Sequence, residues 1–251
     1  MMGLRLYRQG RVQFQPLAGI TLQDQFSRTV LAGGSASYHL SDWLGIGVWG
    51  GYGVASLDTY LTTEVQIKGQ PHERNVLSLP DPSVFPQQVG RIKWVGVAQA
   101  LFIPLRGKMG LFEKVFIDTD FYLGAGVAFV GVEERGEATA AQFAACGTDF
   151  VSLSTCVRSQ ILAGRTPRST IAPTFSAGLT LYLSGAVSLT LEWRALPFAW
   201  NTSGTDEAGA LGAFPDGAID ARDRLSHFNH MVSVGLGLSL PSSVKIWMPD
   251  S

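Results

Sequence analysis

Four charged residues stand where they could act together. Asp118 and Asp120 lie two apart, and Glu192 and Arg194 lie two apart. In an extended strand such spacing puts both members of a pair on one face. Three carboxylates and a guanidinium could form a buried ion network, line an ion path or supply catalytic carboxylates. Charges removed from water persist only when paired, so a polar network filling an interior is the expectation, with the ion path and catalysis as alternatives. His227 and His230, with Asp220 and Asp223 close by, have residue types that bind metal ions. A strand would place the two histidines on opposite faces, so two interfacial histidines are expected instead. His39 is expected to be a hydrogen-bonded interior side chain. No grouping of nucleophile, base and orienter stands out. Gly45-Ile46-Gly47 and Gly235-Leu236-Gly237 fall inside strand patterns rather than ahead of a helix, unlike phosphate-binding loops. The expectation is a chain without catalytic residues, metal or cofactor.

The only two cysteines, Cys146 and Cys156, sit in one stretch, Ala-Ala-Cys-Gly-Thr through Ser-Thr-Cys-Val. Two cysteines alone do not complete a structural zinc site, and a local disulfide is the expectation. It implies an oxidising compartment. Closing a loop of about ten residues would stabilise it by roughly 2–3 kcal/mol.

The elements that must position these residues are strands. Eight alternating segments can be drawn, at about 11–21, 30–40, 44–56, 90–104, 115–131, 171–183, 187–200 and 228–240. The fifth is the clearest. Val115, Ile117, Phe121, Leu123, Val127 and Phe129 share one face; Phe116, Asp118, Asp120, Tyr122, Gly124 and Gly126 share the other. Such alternation is a strand signal, and a register slip by one residue would invert the faces. The fourth segment is ambiguous: Trp94 and Phe102 mark one face as apolar, and Val95, Val97, Leu101 and Ile103 mark the other. On the remaining segments one face is aliphatic and the opposite face is rich in Gly, Ala and Ser. Large aliphatics suit lipid; small residues with paired charges suit the narrow interior of an eight-stranded barrel. Trp43, Trp94, Trp200 and Tyr38 fall near segment ends, as an interfacial aromatic girdle requires.

The connections are asymmetric. Tight turns at Ser41-Asp42-Trp43, near Arg106-Gly107-Lys108 and at Ser184-Gly185 alternate with a moderate loop from Leu22 to Thr29 and long ones from Leu57 to Val89, Glu134 to Thr170 and Asn201 to Leu225. A transmembrane β-barrel has short periplasmic turns and long extracellular loops; a lipocalin-like soluble barrel, the alternative, does not explain the pattern. The fold expected is therefore all-β: an eight-stranded antiparallel transmembrane up-and-down β-barrel at 11–240, between an N-terminal periplasmic segment, 1–10, and a C-terminal periplasmic tail, 241–251. No apolar run is long enough for a membrane-spanning helix. The net charge of −1 and the lack of a basic stripe argue against nucleic acid as a partner. The first residues have neither the apolar stretch nor the cleavage site of a signal peptide, so the numbering is expected to start after one.

Two stretches carry a resemblance. The run from Leu6-Tyr7-Arg8-Gln9-Gly10-Arg11 through Val12 to Pro16, continued by Ala32-Gly33-Gly34-Ser35-Ala36-Ser37-Tyr38-His39-Leu40-Ser41-Asp42-Trp43-Leu44, resembles the opening of the outer-membrane β-barrel domain family common in myxobacteria. Ser233-Val234-Gly235-Leu236-Gly237-Leu238-Ser239-Leu240 resembles the terminal-strand signal of exported barrels, although eleven residues follow it. The resemblance implies an exported eight-stranded barrel of OmpA/OmpX-like architecture in the cell outer membrane, among lipid and lipopolysaccharide, with no assigned chemistry. Two roles fit it: a structural or docking element with a protein partner at the cell surface or in the periplasm, or a narrow channel or gated pore. Val244, Ile246 and Trp247 in the tail are apolar beyond the last strand. They suit partner binding, with a disordered end or a return into the barrel mouth as the alternatives. Alkylation of the unreduced protein followed by intact-mass analysis should find Cys146 and Cys156 blocked until a reductant is added; two freely alkylated thiols would rule out the bridge.

Overall fold

The computed structural model describes residues 9–22, 24–69, 82, 85–111, 115–135, 164–207 and 219–240. Eight strands follow one another: β1 Val12–Thr21, β2 Ser27–His39, β3 Leu44–Asp58, β4 Arg91–Leu111, β5 Val115–Arg135, β6 Arg165–Tyr182, β7 Val187–Trp200 and β8 Leu225–Leu240. Each pairs antiparallel with the next. β1 closes the ring on β8, with Val12 opposite Leu240 and Thr21 opposite Met231. Closure leaves no strand edge within the ring, so the backbone donors and acceptors are satisfied without water.

The two rims differ as expected. At the periplasmic rim, β2 turns into β3 over four residues and β6 into β7 over four, each turn tied by a serine. Ser41 Oγ accepts from the Leu44 N–H at 3.1 Å and Ser184 Oγ from the Val187 N–H at 3.0 Å. The outer rim carries the long connections. Two helices lie between β3 and β4, α1 Tyr60–Lys68 and α2 Phe85–Gln88, and a 3-10 turn, Ala221–Asp223, precedes β8. The sequence pattern had placed only loops there.

The turn expected at Arg106-Gly107-Lys108 is strand. β4 and β5 run on as a hairpin to Leu111 opposite Val115, with a register shift between Phe102 and Leu105. Pro104 lacks the N–H a ladder needs. The shift passes it and then sets Arg106 opposite Asp120 and Lys108 opposite Asp118. β3 begins at Leu44 opposite Phe102 and β6 ends at Tyr182 opposite Asp118, so the hairpin projects beyond both neighbours.

Side-chain facing follows the alternation. Phe14, Ile46, Val48, Tyr52, Phe102, Leu123, Val127, Phe129, Phe175, Leu191, Val234, Leu236 and Leu238 are exposed on the outer surface. An apolar exterior around a closed ring is lipid-facing surface. β4 also resolves: Trp94 and Phe102 face out, while Val95, Val97, Leu101 and Ile103 are buried inside. Trp43 is 57 % exposed and meets Phe102 edge-on at 6.1 Å, as a girdle residue should. Trp200 does not belong to the girdle. It is 1 % exposed, inside the barrel, with its indole N–H donated to Asn229 Oδ1 at 3.0 Å. It sits on the inward parity of β7, and its polar atom has a partner there.

The expectation of an interior built from small residues and charges needs correction too. Toward the outer rim the lumen is apolar, filled by Leu17, Leu31, Trp49, Ile92, Val95, Val97, Val130, Leu196, Phe198, Trp200 and Met231 among others. Gly51 of β3 lies against this layer, where a Cβ would stand 3.3 Å from the Trp49 ring and 3.5 Å from Leu31, whereas Gly235 and Gly237 of β8 lie under Gln15 and Gln13.

Val127 is exposed, faces outward and lies near the middle of β5. Val127→Arg should destabilise the barrel by about 2–4 kcal/mol, against about 0–1 kcal/mol for the same change at Tyr38 near the rim. Unfolding from lipid vesicles measures both; equal effects would contradict the membrane placement.

Candidate functional site

The polar residues of the lumen gather across its middle. Glu192 and Arg194 project from β7 on the inward parity, and Tyr122, Gln99, Thr174 and Trp49 reach the same level from β5, β4, β6 and β3. Arg194 Nη2 donates to Glu192 Oε1 at 2.8 Å and to Gln99 Oε1 at 2.8 Å, and its Nη1 donates to Thr174 Oγ1 at 3.1 Å. Its guanidinium carbon lies 5.0 Å from the centre of the Trp49 ring, a cation–π arrangement. The other oxygen of Glu192 accepts from the Tyr122 hydroxyl at 2.7 Å. Tyr122 reaches it because residue 178 is glycine: a Cβ there would stand 2.3 Å from the Tyr122 ring. The acid and base side chains are 7 % and 1 % exposed, so this is a buried, hydrogen-bonded pair.

The four charged residues singled out by spacing do not all join. Asp120 is buried one level nearer the periplasm and accepts from the Tyr182 hydroxyl at 3.3 Å. Asp118 stands at the periplasmic rim, 40 % exposed, with Lys108 Nζ at 4.0 Å. β6 ends opposite it, so its inward parity points past the lumen rather than into it. Below the pair lies a polar chamber, lined by Gln13, Gln15, Ser35, Ser37, Thr180 and Thr190 among others. Its volume is about 50 Å³, room for a few waters.

A second set of charges, which spacing alone did not bring together, gathers at the outer mouth. Glu134, 2 % exposed, accepts from Arg168 Nε at 2.5 Å, from Arg224 Nε at 2.7 Å and from the Asn201 backbone N–H at 3.0 Å. These partners come from β6, the residue just before β8 and the residue just after β7. Residues 201–206 are buried within the mouth. Arg135 donates to the Gly204 carbonyl at 2.7 Å, and Gly90 N–H to the Thr202 carbonyl at 3.0 Å. Gly204 has φ +68°, and a Cβ there would meet the Gln88 carbonyl oxygen at 2.3 Å. Arg165 donates to the carbonyls of Gln87 and Pro86, both at 2.6 Å, fixing α2 over the same opening. Asp223 accepts from the Glu207 N–H at 2.7 Å and from the Asp220 N–H at 2.7 Å. Asp220 and Asp223 thus cap the 3-10 turn. The Asp220 carboxyl is held below its ordinary value by hydrogen bonds from Arg222.

The histidines take separate places. His230 faces outward, stacked on Trp193 at 5.4 Å and beside Phe228 at 5.1 Å. His39 is buried at the periplasmic end. No group of three metal-ligating side chains occurs among the described residues. Cys146, Cys156 and the tail residues Val244, Ile246 and Trp247 lie outside the described residues.

One buried acid outside the strands titrates in an accessible range. Asp24, in the β1–β2 connection, accepts from the Thr21 hydroxyl, and burial pushes its pKa up from 3.8 to about 6, offset in part by Thr21 and Arg28.

No family model and no curated protein matches this chain. Solved structures share its outline. The N-terminal β-barrel domain of Pseudomonas aeruginosa OprF is 11 % identical, covers 92 % of this chain and 98 % of its own, and has a TM-score of 0.45. The outer-membrane protein OprG of Pseudomonas aeruginosa is 10 % identical over 95 % of this chain and 99 % of its own, with a TM-score of 0.43. Ail of Yersinia pestis, the attachment invasion locus protein, is 10 % identical over 92 % and 99 %, with a TM-score of 0.35. The assignment of an outer-membrane barrel rests on this chain's own closed ring, lipid-facing exterior and unequal rims.

Arg194→Ala should cost about 3–5 kcal/mol, because it strands Glu192 in the lumen. Adding Glu192→Gln should recover part of that loss, and simple additivity of the two changes in a double-mutant cycle would exclude coupling. Asp24 gives a pH test. Its folded pKa lies above its unfolded one, so its contribution is fully present below about pH 4 and is lost as the pH rises through about 6. The shift corresponds to about 3 kcal/mol. Asp24→Asn should therefore stabilise the protein at pH 7 and leave it unchanged at pH 4, as read by paired denaturant titrations.

Proposed function

We propose that this chain is an outer-membrane barrel of the type common in myxobacteria, and that it serves as a structural and docking element rather than a conduit. One observation carries the reading: the lumen is filled from its middle to its outer mouth. Apolar side chains pack its outer half, the Arg194 network crosses its middle, and residues 201–206 occupy its mouth. With the interior occupied, the surfaces left for function are the outer connections and whatever extends from the periplasmic rim. Loops on a rigid scaffold are where binding usually resides. The partner in this reading is a protein at the cell surface or in the periplasm, met through the outer loops or through Val244, Ile246 and Trp247 of the tail. Residues 1–10 and 241–251 are the periplasmic flanks of the barrel, and a Cys146–Cys156 bridge would stiffen the third outer loop.

The second reading, a narrow channel or gated pore, draws on the polar chamber at the periplasmic end. It requires both the mouth segment and the apolar layer beneath it to move. Purified protein in planar bilayers separates the two. The docking reading expects no steady openings from the wild type, and none from Glu134→Gln, because the apolar layer stays in place when the mouth loosens. Steady conductance from either would put the pore first. Affinity purification from outer membranes, with full-length protein and protein truncated after Leu240, should recover a partner with at least the full-length form. Recovery by both assigns docking to the loops; recovery by full length alone assigns it to the tail.

A further inference from the structure

Among the described residues, one buried cation at the periplasmic end of the lumen has no counter-charge. Arg11, just ahead of β1, is 6 % exposed. Its Nη2 donates to the Gly185 carbonyl at 2.5 Å, across β8 in the β6–β7 turn. Its Nε is buried without a hydrogen-bond partner. Among the described residues no carboxylate forms an ion pair with it, whereas Arg168, Arg194 and Arg224, also at least part-buried, each have one. A guanidinium held away from water is costly unless an anion or a full set of acceptors meets it. One carbonyl is not a full set.

The space beside it suits a small anion. Arg11, Gln13, His39, Tyr182 and Ser239 line a cavity of about 10 Å³, room for about one water-sized atom. Gln13, which donates its amide N–H to Ser188 at 2.9 Å, and Tyr182, which donates its hydroxyl to Asp120, are uncharged and cannot offset the guanidinium charge. Ser239 is on the inward face of β8 and adds a hydroxyl donor to the guanidinium N–H donors of Arg11. Asp120, on β5, does not line this cavity and accepts from Tyr182. A phosphate or sulfate, with five heavy atoms, exceeds the space.

We infer that Arg11 and Ser239 form a binding site for a small anion at the periplasmic mouth of the barrel, sized for a halide ion or for one oxygen of a carboxylate. The site lies at the opposite end from the outer mouth and does not depend on the docking role. Occupancy neutralises the buried guanidinium, so the anion stabilises the folded barrel by mass action.

The test uses the full chain in detergent. Chloride-35 line broadening should show saturable excess width that falls about ten-fold or more in Arg11→Gln, as expected for loss of a charged hydrogen bond. The thermal midpoint of the wild type should rise with chloride over gluconate at equal ionic strength, and that of Arg11→Gln should not. Acetate serves as the second probe. Displacement of chloride by acetate, or Arg11-dependent stabilisation by acetate alone, supports the same site with a carboxylate as the natural occupant. If Arg11→Gln does not assemble, Ser239→Val, which fills the cavity and keeps the arginine, should give the same loss of anion response. Broadening that is absent, or unchanged in the variants, together with midpoints indifferent to the anion, would overturn the inference.

Discussion

The structure depends on the closure of its backbone ladder. In hydrocarbon there is no water to take up an unpaired N–H or C=O, so a strand sheet persists there only when its first strand meets its last. The pairing of β1 with β8, from Val12–Leu240 to Thr21–Met231, meets that condition. Once the ring is closed, the period of two decides everything else at the level of single residues. Each strand must turn one face to lipid and the other to a lumen that eight strands keep narrow.

That lumen then solves a packing problem with two different media. Toward the outer rim the inward positions carry Leu31, Val95, Val130, Leu196 and Trp200, which need no partners beyond one another and Asn229. Toward the periplasm they carry polar side chains, among them Gln13 bonded to Ser188, Thr180 to Thr190 and Tyr182 to Asp120. Arg194 lies at the boundary. It stacks on Trp49 from the apolar side and gives its N–H groups to Glu192, Gln99 and Thr174 on the polar side. An interior so occupied moves function toward the rims. The rims are unlike: one is drawn tight by serine-tied turns, and the other is built up with helices, a folded-in segment and the Glu134 cluster.

Much of this was legible because alternation is a local property. Val127 and Phe129 had to face away from Gly126 and Ala128 wherever the strand lay, and the inward parity of Asp120, Glu192 and Arg194 followed in the same way. Trp200 misled because closeness to a strand end suggested a girdle residue while its parity pointed inward. Asp118 misled because parity says nothing about height: β6 ends beside it, leaving it at a wet rim with Lys108. β4 gave two apolar faces, and composition alone cannot rank lipid against an apolar lumen.

The chain by itself therefore determined the class of fold, the strands and, for every strand but β4, the side that meets lipid, since these follow from periodicity and from the unequal lengths of the connections. Only the tertiary structure decided which inward residues meet. The register between neighbouring strands sets the height at which each side chain enters the lumen. It brings Tyr122 to Glu192 across a glycine and gathers Arg168, Arg224 and Asn201 on Glu134. It also leaves Arg11 buried with a single carbonyl. Those contacts join residues many tens of positions apart, and no local pattern encodes a distance across a closed ring.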